Sequence, residues 1–200
     1  MKKNKLKINF VLPMLSTGGG VKVVYELSNR LYAKGYDVEI YSSTVAFWNK
    51  SLNIQPVLSW LYMTFRNIFF RKKDNWFNLK VKVHKPLFLQ KKNIREADFT
   101  IATSWQTAYF VNSLSNDSGK KIYFIQGHEV WGGVNSEIVH KTYSFNMKII
   151  TISKWLSSVI SKYSNNIVSA IIYPAIDTTV FYPDKLVKKN KPPSILTMYK

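Results

Sequence analysis

Between residues 6 and 42 the chain runs through a short apolar stretch, a glycine-rich joint, an amphipathic stretch and a second apolar stretch, with almost nothing between them. "KINFVLPML" is continuously apolar and does not alternate, the pattern of a strand buried on both faces. Val21 to Lys34 reads as a helix: Val24, Leu27 and Leu31 fall on one face, and Gly35 stands where a C-terminal cap belongs. "DVEIYSS" reads as a second strand. A helix joining two strands over short connections is a βαβ unit, and its strands must be parallel. Few other features narrow the choice of fold so far.

The alternation resumes later. "ADFTIATSW" reads as a strand and "QTAYFVNSL" as a helix. "KKIYFIQGHEVWGG" is a strand that runs into a glycine-containing loop, and "SEIVHKTYSFN" a short helix. "MKIITIS", "KWLSSVISKYS" and "VSAIIYP" read as strand, helix and strand. The class is α/β, a Rossmann-like doubly wound parallel sheet with helices on both faces. The middle is less regular. "VLSWLYMTFRNIFF" is helix-like with a narrow polar stripe, and "NLKVKVHKPLF" has the alternation of an exposed edge strand closed by Pro86. After "VSAIIYP" apolar periodicity is lost, prolines and lysines accumulate, and "SILTMYK" begins a further apolar run. The expected organisation is one Rossmann-like domain over 1–183, then a linker and the first strand of a second, truncated domain over 184–200.

Charge narrows the partners. The chain carries 29 Lys and Arg against 11 Asp and Glu, a net +18. From Arg66 to Arg95 there are ten basic residues and one acid, Asp74. Such a field attracts anionic lipid, phosphorylated substrates or nucleic acid, although lysine excess also serves solubility. No RRM, KH or helix-turn-helix pattern is present, so no specific nucleic-acid partner is expected. Without cysteine there is no disulfide and no thiolate metal site. The basic, apolar start resembles a weak signal peptide, but Pro13 interrupts it and no small-residue cleavage site follows. No apolar run approaches the ~18 residues of a membrane span.

Residues 16 to 20, "STGGG", fall where the first strand hands over to the first helix. In parallel α/β sheets ligands sit beyond the carboxyl ends of the strands, and a helix N-terminus offers N–H groups and partial positive charge. Gly18, Gly19 and Gly20 would let backbone approach an anionic or polyhydroxy ligand. They also suit a plain tight turn with helix capping. The loop fits neither G-x-G-x-x-G, since the third position is Val23, nor a P-loop frame around Lys22.

Taken together, four segments resemble family 4 glycosyltransferases of the GT-B fold. "LSTGGGVKVVYELSNRLYAKGYDVEIYSS" is similar to the family's opening, with Tyr36 in the usual histidine position. "YFIQGHEVWGG" resembles its strand and loop bearing a cleft His or Glu, and "IITISKWLSSVI" a later strand and helix. "IIYPAIDTTVFYP" resembles the stretch leading into the second domain, with Ala175 replacing a usual glycine and Pro174 near a usual asparagine. The resemblance spans residues 6 to about 183. It implies an enzyme that moves a sugar from a nucleotide-sugar donor to a polysaccharide or lipid-linked acceptor, with retention. It implies no metal and no other cofactor. This chain would be the acceptor half, inactive alone, with the donor gripped by a second domain through a Glu-x7-Glu region. The setting implied is cytoplasmic, peripheral at the inner membrane face. Another nucleotide-sugar enzyme, such as an epimerase, and a basic membrane- or nucleic-acid-binding module are the alternatives.

On this reading His128 and Glu129 are the catalytic candidates. Gly18, Gly19, Gly20, Trp105, Gln126, Trp131, Ser153 and Lys154 are the donor- or acceptor-binding candidates. An imidazole at a strand end can hydrogen-bond a sugar hydroxyl, and an indole can stack on a sugar ring. Each has a plainer reading: a solvated histidine, a core tryptophan, a solvated lysine. His84 and His140 share no metal-ligand spacing with His128. The 57–73 stretch has two readings, a helix packed on the sheet or an interfacial helix on an anionic membrane.

Overall fold

The computed structural model describes residues 5–44, 76–131 and 133–183, together with Phe65 and Pro192. Strand β1 (Lys7–Leu12) is buried along all but its first residue, as its unbroken apolar run requires. Helix α1 (Gly19–Ala33) follows and buries Val21, Val24, Tyr25 and Ser28. It starts two residues before the apolar periodicity does, so Gly19 and Gly20 belong to its first turn. It ends as the sequence implies. Gly35 adopts φ 91°, its N–H donates to the Tyr32 carbonyl at 2.9 Å, and the Tyr36 N–H donates to Leu31 at 3.2 Å. That pair of bonds is a Schellman cap, and only a residue tolerant of the left-handed region closes it without strain.

Strand β2 (Asp37–Ser42) lies parallel to β1, in register from Lys7 opposite Asp37 to Leu12 opposite Ser42. Strands β3 (Lys82–His84), β4 (Phe99–Ala102), β5 (Lys120–Ile125), β6 (Lys148–Thr151) and β7 (Val168–Ile171) complete a seven-stranded sheet. Every pairing is parallel, in the order β3-β2-β1-β4-β5-β6-β7. β3 is an edge strand, as its alternating pattern predicts, although only three residues long. The α/β, Rossmann-like doubly wound architecture is therefore the one the sequence indicates.

Two apolar layers cover the sheet. Ile8, Phe10 and Leu12 of β1 join Val38 and Ile40 of β2 under α1. On the opposite face Val11, Ala102, Tyr123, Ile125 and Ile149 pack against three helices, α2 (Trp105–Asn112), α3 (Ser136–Thr142) and α4 (Lys154–Tyr163). Successive β1 residues thus point to opposite layers, the period-two rule for a strand buried on both sides. Residues 57–73, Phe65 aside, and residues 184–200, Pro192 aside, lie outside the described residues. So do the interfacial-helix reading and the second-domain strand.

Candidate functional site

From β1 the chain moves one way across the sheet through β2 and β3. It then returns past β1 and proceeds the other way through β4 to β7. Where the order reverses, between β1 and β4, the loops leaving the two strands pass to opposite faces and leave a crevice at the carboxyl edge. The crevice floor is tied. Thr103, just past β4, is buried and donates its hydroxyl to the Val11 carbonyl at 2.8 Å. Ser104 then caps α2: its Oγ accepts the Thr107 N–H at 3.3 Å, while Thr107 Oγ1 accepts the Ser104 N–H at 3.0 Å. This reciprocal pair is a capping box built on threonine instead of the usual Glu or Gln.

Glu129 reaches this crevice from the loop after β5. Its Oε2 accepts the Trp105 N–H, the first of α2, at 2.9 Å. A carboxylate at a helix N-terminus is well placed electrostatically. Burial nevertheless dominates and pushes the Glu129 carboxyl up to about 7, with the Trp105 N–H opposing the rise. Near neutrality such a group exists in both protonation states, so it can donate or accept a proton. Gln126 leaves the same loop toward α1, its side-chain amide 3.6 Å from where a Cβ on Gly20 would sit.

The three glycines form the N-cap and the opening of α1. Gly18 is the N-cap of α1 at φ −70°, ψ 154°, and Gly19 and Gly20 are helical. Among the described residues the positive-φ glycines are Gly35, Gly119 and Gly133, so no left-handed backbone calls for glycine at 18–20. What glycine supplies here is the missing Cβ. A Cβ on Gly19 would meet nothing within 4 Å, and no side chain caps the helix. The first-turn N–H groups thus stand behind bare, exposed backbone, open to water or a ligand.

His128 has a different setting from Glu129. Its Nδ1 shares a hydrogen bond with the Tyr143 hydroxyl at 3.1 Å, and its ring stacks with His140 at 5.3 Å and with Tyr163 at 5.9 Å. His140 lies flat on Tyr163 at 3.6 Å. Burial, then the neighbouring His128, holds His140 below its ordinary range. Tyr143 links the two catalytic candidates: it bonds His128, and its hydroxyl is pushed up to about 12 by burial first and by the Glu129 charge second.

The remaining candidates divide. Trp131 is 63 % exposed, with a ring carbon 3.4 Å from where a Cβ on Gly127 would sit, so its indole lies across the loop backbone. Trp105 is buried in the core and packs edge-on against Tyr109, so it offers the crevice its N–H and no open ring face. Ser153 caps α4, its Oγ accepting the Leu156 N–H at 3.1 Å. Lys154 is exposed at the start of that helix. The structure therefore gathers Glu129 with the start of α2, Gln126 with Gly20, and Trp131 with Gly127. Ser153 and Lys154 sit at the start of α4, just past β6. Sequence reasoning left out Tyr143 and Tyr163, which the 136–146 and 154–164 helix patterns present as ordinary apolar positions. Among the described residues no three His, Asp or Glu side chains group as metal ligands would, and no helix is long and apolar enough to cross a membrane. No family model matches the chain, and no curated protein matches it.

Proposed function

We propose that this chain is the acceptor-binding half of a retaining GT-B glycosyltransferase of the family 4 type, moving a sugar from a nucleotide-sugar to a polysaccharide or lipid-linked acceptor. One observation carries the reading: a carboxyl poised near neutrality, Glu129, stands in the crevice at the reversal of strand order, on the sheet edge shared with the bare N-terminus of α1. Exposed N–H groups suit a phosphate or sugar oxygen, and Gln126 and Trp131 suit hydroxyls and a ring face. In this role Glu129 exchanges a proton with the acceptor hydroxyl, His128 with Tyr143 orders the loop, and the nucleotide is gripped by a second domain. The order of the four family-like segments along the chain supports the same reading.

The test is sugar transfer or donor hydrolysis by the full gene product across a panel of nucleotide-sugars. Glu129→Ala should lower turnover by about 10²-fold or more, the scale of a lost proton-transfer group, and His128→Ala, which loosens the loop that carries Glu129, should lower it less. Full activity in both variants overturns the cleft assignment. An epimerase would interconvert the donor sugar without transferring it, and the same panel separates the two.

A further inference from the structure

Strand β3 runs out at the same sheet edge as the crevice, and the turn after it carries two large apolar side chains into solvent. Leu87 is 54 % and Phe88 55 % exposed. Their backbone is not loose. The Ser43 hydroxyl donates to the Leu87 carbonyl at 2.9 Å, the Thr44 N–H to Pro86 at 2.9 Å, and the Thr44 hydroxyl to Lys85 at 3.2 Å. The turn is pinned to the end of β2 while its side chains are left outside. Lys80, Lys82, Lys91 and Lys92 flank it in sequence, all exposed, and no Asp or Glu occurs from residue 76 to 95. Glu39 of β2 is taken up by His84, Tyr41 and Arg95.

Lysines alone would be ordinary protection of an edge strand. A pinned apolar tip among them has no such use. We infer that Leu87 and Phe88 are an insertion tip that docks this chain on an anionic bilayer, with the neighbouring lysines on the headgroups. An aliphatic leucine beside the phenylalanine suits acyl chains and cannot stack on bases, and uniform positive charge suits a lipid surface better than a mixed-charge protein. Docking by this tip turns the carboxyl edge toward the membrane, where a lipid-linked acceptor would enter. That consequence rests on the proposed function; the docking itself is tested without catalysis.

The experiment is flotation of the chain with vesicles of phosphatidylcholine, alone or mixed with phosphatidylglycerol. Binding to the mixed vesicles is expected, with little to phosphatidylcholine alone. Leu87→Ser/Phe88→Ser should weaken it by about tenfold or more while the chain still melts cooperatively, since more than half of each residue is already exposed. Lys82→Gln/Lys91→Gln/Lys92→Gln should weaken it and flatten its salt dependence. The chain lacks cysteine, so a polarity-sensitive dye on Phe88→Cys reports insertion directly. It should shift to the blue on mixed vesicles, and a dye on Asn116→Cys, at the opposite sheet edge, should not. A wild-type chain that stays with the unbound fraction overturns the proposal. So does a serine variant that floats as well as wild type, or one whose binding to single-stranded RNA falls as far as its vesicle binding.

Discussion

Glu129 is a residue whose burial works against its charge. Its folded value of about 7 lies above its ordinary 4.5. The folded state therefore holds the proton more tightly than the unfolded chain between those two values. The corresponding stability is fully present below about pH 4.5 and is lost as pH rises through 7. The loss is at most about 3.5 kcal/mol, because each pH unit between the two values is worth about 1.4 kcal/mol. Glu129→Gln keeps an oxygen for the Trp105 N–H and removes the titration. Urea midpoints should then match wild type near pH 5 and exceed it near pH 8. A variant that trails wild type equally at both would show that the carboxyl is not desolvated as described. Glu129 could be singled out in sequence by its place after an apolar strand. Its contact with Trp105 could not, because 24 residues separate the partners.

Glycine has two distinct uses in the elements of this chain, and substitution separates them. At Gly119, which leads into β5, φ is +75° and a Cβ would collide with the Ala97 carbonyl oxygen. Gly119→Ala should cost about 2–4 kcal/mol in chemical denaturation, from backbone strain and collision together. At Gly19 the backbone is helical and the space empty. Gly19→Ala should leave stability unchanged or raise it by up to about 1 kcal/mol, because alanine loses less backbone freedom on folding. If the start of α1 receives a ligand, the same substitution should lower turnover of the full enzyme. A stable, fully active Gly19→Ala enzyme would remove α1 from the site. The helix itself was legible from Val24, Leu27, Leu31 and Gly35. Its true start was not, since glycine carries no apolar signal and reads as a loop.

At the scale of the whole molecule, one side chain ties down the crossover that creates the strand reversal. Arg95 lies on the path from β3 to β4. Its guanidinium donates to the Asp37 carboxylate at 2.8 Å, to the Asp37 carbonyl at 2.9 Å and to Asn9 Oδ1 at 3.1 Å, and stands 3.3 Å from Glu39. Asn9 returns a bond to the Arg95 carbonyl at 3.0 Å. Burial alone would raise the Glu39 carboxyl, but the Tyr41 hydroxyl, Arg95 and His84 outweigh it and lower it. That contribution is present above the ordinary carboxylate range and is lost as pH falls through the lowered value. Arg95→Ala should therefore destabilise by about 1–3 kcal/mol near pH 7, discounted for partial exposure. The deficit should shrink in acid, and a deficit independent of pH would mean that packing, not charge, holds the crossover.

The elements and their class follow from local signals in the chain. Apolar runs, helical periodicity and the cap at Gly35 are local, and strand–helix alternation over short joints admits little besides a parallel, doubly wound sheet. Sequence also singled out the loop after β5, because chemistry-bearing residues directly after a buried strand must emerge at the ligand edge. Which side chains meet there is set by the packed fold. It set Glu129 on the first N–H of α2, buried the Trp105 ring beneath that contact, and turned His128 into a stack with His140 and Tyr163. It also left Leu87 and Phe88 outside on a pinned turn. Those outcomes depend on strand order and helix placement, which join residues distant in sequence, and no periodicity encodes a partner 15 or 24 residues away.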